Sequence, residues 1–103
     1  MRIRLYSNKV EAPVSPFIGR LLGNVCAGVA ASLKTERPVK NLRYELEGDG
    51  VRIQINGAPV ALDMSQGFAK TIVGDTIRGM IRHLKGIDAE GTIQIEVELD
   101  EQS

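Results

Sequence analysis

The residues best able to do chemistry are a single histidine, a single cysteine and two pairs of alternating glutamates. His83 lies at the edge of the apolar face of one predicted helix, which is typical of a half-buried surface residue. Cys26 lies within the apolar face of another helix, where a thiol is usually inert packing. The glutamates are Glu45, Glu47, Glu96 and Glu98. We expect them on a solvated strand face beside arginines, which keeps carboxylates ionised and unsuited to general acid catalysis.

The sequence lacks the familiar motifs of catalysis and cofactor binding. It has no phosphate-binding Gly-x-x-x-x-Gly-Lys pattern, no serine nucleophile elbow and no paired-histidine spacing. A single cysteine allows neither an internal disulfide nor a cysteine-based metal cluster. We therefore expect a protein that is not an enzyme, with no catalytic residues, no metal site and no cofactor.

Composition sets the class of protein. The chain has 103 residues, of which 13 are basic and 13 acidic, so no overall field attracts nucleic acid or an anionic membrane. The first residues run directly into a strand pattern rather than a leader peptide. The longest apolar run, 18–33, is short for a bilayer span and contains Arg20 and Asn24. We expect one cytoplasmic domain over residues 1–103 with no membrane partner.

One stretch of the chain occurs twice. Residues 68–98 align without a gap on residues 17–47, each partner lying 51 positions earlier. Seven of the 31 aligned pairs are identical, where about two are expected by chance. The identical pairs are Phe17/Phe68, Gly23/Gly74, Gly28/Gly79, Leu33/Leu84, Lys34/Lys85, Glu45/Glu96 and Glu47/Glu98. The alignment predicts an internal duplication, with repeats over 1–50 and 51–103 that a twofold axis relates.

Sequence periodicity predicts the elements that carry these residues. Strands are expected at 2–6, 42–47, 51–55 and 93–99, and helices at about 16–34 and 63–86. Ser15 followed by Pro16 is a typical helix start, Asp63 or Ser65 is a suitable cap for the second helix, and Gly86 is a typical stop.

Turn residues predict how the strands pair. Asp49-Gly50 is a two-residue hairpin signal, which places Glu47 opposite Arg52 and Leu46 opposite Ile53. Asn56-Gly57 is another turn signal. The sequence leaves open whether short hairpins at 7–10 and 56–60 add strands.

The element order predicts an α+β fold. A ferredoxin-like β-α-β-β-α-β domain carries both helices on one face of an antiparallel sheet ordered 4-1-3-2. That order would place acidic edge strands beside basic central ones. The alternative keeps both short hairpins as two successive β-β-α-β units. In that case Asn24–Val29 and Asp75–Met80 loosely resemble the helix of one large-subunit ribosomal protein built from such units, over about a dozen residues per copy, although balanced charge does not suit ribosomal RNA.

The faces of the two helices differ in a way that suggests an interface. The predicted core face of the first helix consists of Ile18, Leu21, Leu22, Val25, Cys26, Val29 and Leu33. Beside it runs a flank of small residues. Where the second helix has charged residues, the first has small ones, so this flank is a candidate contact with another subunit. The interface candidates are Gly19, Gly23, Ala27, Ala30 and Ala31.

The charged face of the second helix is a candidate contact for phosphates or an acidic partner. This basic ridge consists of Lys70, Arg78, Arg82 and Lys85. An ordinary solvated helix face explains the same residues, and Asp75 lies beside them. Only Tyr6 would offer an aromatic ring on the outer sheet face, which argues against base stacking on the sheet.

These observations favour a small, non-enzymatic binding or interaction module that self-associates near the first helix. A small-ligand regulatory domain is the first alternative, with an amino acid or other small anion bound near the start of that helix and the 7–16 loop. Weak nucleic-acid binding through the basic ridge is the second.

Overall fold

The described part of the chain forms a sheet and two helices. The computed structural model describes residues 2–32, 39–48, 50–60 and 67–99, with the backbone alone described for Ser32 and residues 67–70. The elements are β1 (Arg2–Ser7), β2 (Val10–Ala12), α1 (Pro16–Ser32), β3 (Asn41–Glu47), β4 (Gly50–Ile55), β5 (Ala58–Val60), α2 (Gly67–Ile81) and β6 (Ile93–Glu98). The α+β class is confirmed.

The expected strand order is wrong. The six strands of the described sheet are ordered β2-β1-β6-β3-β4-β5, and every neighbouring pair is antiparallel. The central strands are therefore the acidic ones, flanked by the basic strands β1 and β4. In this order Arg2 of β1 lies opposite Glu98 of β6, whereas the 4-1-3-2 order would have set the arginines of β1 beside Arg52. Opposite charges on neighbouring strands favour the observed order.

Both short hairpins are present, so each half of the chain runs β-β-α-β, which is the alternative element order. Asn56 and Gly57 form the second hairpin turn with φ of 54° and 83°. Asn8 and Lys9 form the first with φ of 51° and 70°. Positive φ at both turn residues is the geometry of a two-residue hairpin turn whose twist matches the flanking strands. The sequence also suggests a returning strand through Val60 and Leu62, of which Leu62 lies outside the described residues.

The β3-β4 hairpin differs in register from the prediction by two residues. Glu47 lies opposite Gly50, and Glu45 lies opposite Arg52. Gly48, at a φ of 58°, is therefore the first turn residue, a conformation that glycine adopts without strain. Because a shift of two residues preserves the alternation of faces, every side chain stays on the predicted side of the sheet.

Both helices pack on one face of the sheet and contact each other. The strand residues beneath them are buried and almost all apolar, and the opposite face carries arginine, glutamate and glutamine. The fully buried side chains are Leu5, Leu22, Cys26, Leu42, Tyr44, Leu46, Ile53, Ile77, Ile81, Ile93, Ile95 and Val97. The buried apolar area of this single layer-to-layer contact stabilises the fold.

The helices are rotated relative to the predicted core faces. Leu21, which was expected in the core face of the first helix, is 41% exposed, and Ile72, its partner in the alignment of the repeats, is 48% exposed. Gly23 and Gly74 face inward instead, and a Cβ added to Gly74 would lie 3.5 Å from Val51 of β4. Glycine lets a helix backbone approach the sheet closely, and this approach turns the neighbouring large side chains outward.

Because of this rotation, most of the small-residue flank of the first helix packs inside the chain. Gly19, Gly23 and Ala30 are buried within the chain itself, and Ala27 packs half-buried against the core. Ala31 is exposed. The flank as a whole is therefore not a free surface for another subunit, because the helix needs it for packing on its own sheet.

The second helix ends earlier than the predicted 85–86. Its last helical bond runs from Arg82 N to Arg78 O at 3.0 Å, after which Leu84 N bonds to Ile81 O in a tighter turn. Gly86, at a φ of 82°, closes the following turn rather than the helix itself. The predicted caps at 63 and 65, and the end of the first helix at 33–34, lie outside the described residues.

Replacing the open helix glycines by alanine is expected to stabilise the fold. An added Cβ at Gly28 or Gly79 meets nothing within 4 Å, so alanine gains helix propensity without a clash. We expect each change to raise the free energy of unfolding by about 0.5–1 kcal/mol, measured by urea denaturation. Gly91→Ala is the matched control and should destabilise, because its Cβ would collide with the side-chain oxygen of Asn8.

Candidate binding site at the start of the first helix

A cleft lies where the chain leaves the sheet and enters α1. Its volume is about 380 Å³, and it is lined by Ile3, Val14, Ser15, Pro16, Gly19 and Arg20. Ile3 comes from β1, and the other five come from the connection between β2 and the first turns of α1. The cleft occupies the place that the small-ligand alternative assigns to a ligand.

The local sequence builds this corner of the molecule. Ser15 caps α1, since its hydroxyl oxygen accepts from Ile18 N at 3.3 Å and its carbonyl accepts from Gly19 N at 2.8 Å. Pro16 occupies the first helical position, which confirms the predicted start. Gly19 leaves space at the cleft, because a Cβ there would lie 3.6 Å from Val14 and 3.9 Å from Ile3.

Among the described residues that line the cleft, Arg20 is the charged one. Its side chain is exposed, and it takes part in none of the ion pairs found between described residues. An exposed guanidinium beside apolar walls favours a ligand that joins a carboxylate or similar anion to an apolar part.

The basic ridge does not form one free surface. Arg78 is half-buried, and its guanidinium donates to the carbonyls of Ala89, Gly91 at 3.0 Å and Gly48 at 3.3 Å. This arginine therefore fastens α2 to two turns of the chain. Arg82 and Lys85 are exposed, and the side chain of Lys70 lies outside the described residues. The nucleic-acid alternative loses its central residue.

Two asparagines play structural roles that the sequence analysis missed. Asn8 N donates to Thr92 O at 2.7 Å, and Asn8 Oδ1 accepts from Thr92 N at 2.9 Å. Asn56 makes the same pair of contacts with Asn41, at 2.9 Å and 3.2 Å. Thr92 and Asn41 are partners in the sequence alignment of the two halves. An asparagine directly after an alternating strand was the available signal, since asparagine tolerates positive φ.

Polar groups around Asn8 also hold the loop before β6. Asn8 Nδ2 donates to Asp88 Oδ2 at 3.3 Å, and Asp88 N donates to the hydroxyl of buried Ser7 at 2.9 Å. Asp88 Oδ1 accepts from Glu90 N at 3.2 Å. Each of these groups has a partner, so the cluster reads as a loop anchor rather than a reactive site.

The remaining chemical candidates lie apart from the cleft. His83 is exposed on the turn after α2. The glutamates lie on the outer sheet face, where Arg43 approaches Glu45 at 3.3 Å and Arg2 approaches Glu98 at 3.5 Å. Among the described residues no group of three or more histidine, cysteine, aspartate or glutamate side chains could hold a metal ion.

Cys26 and Tyr44 form a buried polar contact in the core. The Tyr44 hydroxyl donates to the carbonyl of Cys26 at 2.6 Å. Burial raises the pKa of the Cys26 thiol from 9.0 to about 12. Burial, followed by the neighbouring Cys26, also raises the pKa of Tyr44 above its ordinary 10.0. The thiol therefore stays protonated and unreactive at neutral pH, and Cys26 acts as a packing residue of the core.

These shifts predict a loss of stability in alkaline solution. The unfolded chain loses the thiol proton near pH 9, whereas the folded chain keeps it to about pH 12. This stabilisation is fully present below pH 9 and falls between pH 9 and 12, by up to about 1.4 kcal/mol per pH unit. Tyr44 acts in the same direction above pH 10.

Urea denaturation at intervals across this range measures the effect. Cys26→Ala should flatten the slope between pH 9 and 12 relative to the original chain. Equal slopes in the two proteins would show that the thiol is not shielded from solvent.

Apolar side chains are exposed around the first helix. Phe17 and Leu21 of α1 are 67% and 41% exposed, and Val10 of β2 is 69% exposed. Ile72 of α2 is 48% exposed.

Neither described helix has the length and apolar character needed to cross a bilayer. In the comparisons with known proteins, no protein family, curated protein or solved structure matches this chain.

Proposed function

We propose that this protein is a small, non-enzymatic interaction module that acts in the cytoplasm and self-associates through its helical layer. The observation that carries this proposal is the exposure of Phe17 and Leu21 on α1. Four residues apart, they lie on neighbouring turns of one helix face. Large apolar side chains grouped on a surface favour contact with another apolar surface, because burial removes them from water.

The exposed residue of the second helix supports the same surface. Ile72 of α2 is the alignment partner of Leu21, and both are turned outward by the same rotation of their helices. Because the two helices contact each other, this outward apolar character belongs to one layer. A second copy of the chain is the simplest partner, since a twofold contact buries the same residues on both sides.

The proposal includes an origin by duplication of a β-β-α-β unit. Exchanging the halves of the chain reverses the observed strand order onto itself. The equivalent contacts of Asn8 and Asn56 support the same relation. Such a molecule presents similar surfaces twice, a property suited to assembly.

Size-exclusion chromatography with light scattering tests self-association. We expect a mass above that of the 11.2 kDa chain at high micromolar concentration, falling on dilution. Leu21→Glu should give a monomer, because a desolvated carboxylate opposes burial. Gln54→Glu adds the same charge on the outer face of the sheet, away from both helices, and should leave the mass unchanged. A wild-type monomer at every concentration would contradict the proposal.

A regulatory domain for a small ligand is the second candidate, and the cleft favours it. Its walls and Arg20 suit an amino acid or another small anion. In thermal-shift measurements, a ligand at about 100 times its dissociation constant should add about 2.7 kcal/mol of stability. Amino acids, phosphate and nucleotides are the probes, with Arg20→Gln as the control. The absence of any shift would argue against this candidate.

A further inference from the structure

The edge of β1 beside the cleft carries backbone groups that have no partner among the described residues. Ser7 and Val10 flank the two-residue turn of the first hairpin, so they form a hydrogen-bonded pair, and Leu5 with Ala12 forms the next. Asn8 N donates to Thr92 O, the residue just before β6. Because the backbone groups of alternate residues in a strand face the same neighbouring strand, the amides and carbonyls of the even-numbered residues of β1 point toward β6. The amide and carbonyl of Ile3 therefore point away from β6.

No described residue pairs with Ile3 on that side. β2 ends at Ala12, opposite Leu5, and the chain then rises through Pro13 toward α1. A continued β2 would have placed Val14 opposite Ile3, but no backbone hydrogen bond joins these two residues. Beyond the end of β2, no described strand lies beside residues 2–4 of β1 on this side, and we call this gap in the sheet the notch. The cleft opens into the notch, since Ile3 and Val14 both line the cleft.

We propose that this notch binds an extended peptide segment as an added strand along residues 2–4, with an acidic side chain of the peptide paired to Arg20. The amide and carbonyl of Ile3 supply two main-chain hydrogen bonds, as in other cases of strand addition to a sheet edge. The cleft receives one side chain, and Arg20, which has no ion-pair partner among the described residues, selects a carboxylate.

An isolated extended chain fits this place better than a folded edge. β2 ends beside the notch and residues 14–16 line the cleft that opens into it, so the sheet of a second copy would meet both. A small anion would reach Arg20 but would leave the amide and carbonyl of Ile3 unpaired. Unpaired strand edges are the part of a sheet that pairs readily with another chain.

Hydrogen exchange followed by NMR tests the notch without any ligand. The Ile3 amide should exchange quickly, whereas the Leu5 amide, paired with Ala12, should be protected. Equal protection of the two amides in the free protein would overturn the proposal, because the edge would then already be occupied.

A peptide titration tests occupancy. The probe is an acetylated five-residue peptide of alternating threonine and valine with aspartate at its centre. We expect shifts of the Ile3, Val14 and Gly19 amides, slower exchange at Ile3, and an affinity roughly two- to tenfold weaker when the central peptide amide is N-methylated. Unchanged spectra at millimolar peptide would overturn the proposal, as would equal binding of the N-methylated peptide.

Two protein variants test the role of charge. Arg20→Gln should weaken peptide binding by roughly two- to fivefold, the range for an exposed ion pair, whereas Arg82→Gln should leave it unchanged. Equal binding by Arg20→Gln would remove the acidic residue from the proposal. Since the notch and the apolar helical surface are separate, Leu21→Glu should bind the peptide as a monomer, so that failure of either proposal is recognised without the other.

Discussion

Replacing Tyr44 by alanine is expected to lower the free energy of unfolding by about 3–5 kcal/mol, a large part of the stability of a domain this size. Tyr44 is 0% exposed on the central strand β3, where it packs against the buried residues of both helices and the sheet. Its removal leaves a cavity and also takes away the hydrogen bond to Cys26. Urea denaturation followed by circular dichroism measures the change.

Tyr44→Phe separates the ring from the hydroxyl. The Cys26 carbonyl lies inside α1, where it keeps a helical partner, so loss of the tyrosine hydroxyl should cost only about 1 kcal/mol. A phenylalanine variant as unstable as the alanine variant would show that the hydrogen bond, rather than ring packing, dominates this site.

Replacing Arg78 by methionine is expected to have the second largest effect, a loss of about 2–3 kcal/mol. The substitution keeps much of the apolar side chain but leaves the carbonyls of Ala89, Gly91 and Gly48 without their charged donor. Arg78→Lys should recover only part of this loss. Lysine restores a charged donor, but one ammonium cannot match the planar geometry of the guanidinium.

Arg82→Met is the matched control on the same side of the molecule. Arg82 is exposed, so its replacement should change the free energy of unfolding by less than about 0.5 kcal/mol. Equal effects of the two methionine variants would show that Arg78 belongs to a solvated ridge, as the sequence alone suggested, and not to a structural anchor.

Local signals in the sequence predicted much of the fold. Alternation assigned the faces of every long strand, and Ser15-Pro16 fixed the start of α1, because both depend on nearest neighbours along the chain. The strand order was not predictable in the same way. Both the 4-1-3-2 order and the observed order satisfy the exchange of the two halves, and only contacts between distant strands distinguish them.

The rotation of the two helices was also not predicted from the sequence. This rotation determines which apolar residues are exposed and so form the candidate surface. Helical periodicity predicts Leu21 as a core residue because its side chain is apolar. In the structure Gly23 and Gly74 face inward instead, and they allow the helices to approach the sheet closely. The cleft was predictable only as a region, since Ile3 and Arg20 meet through the tertiary fold. No spacing in the sequence shows that the Ile3 amide and carbonyl lack backbone partners among the described residues on the side away from β6.

The reactivity of a single new thiol tests the central claim most directly, namely that the rotated helices expose an apolar surface for self-association. In Leu21→Cys, an aromatic disulfide reagent should modify one thiol rapidly at low micromolar protein, while buried Cys26 stays silent. At high micromolar protein the same thiol should react more slowly, because a second copy covers it. A new thiol as silent as Cys26 on dilution, or a rate independent of protein concentration, would contradict the account.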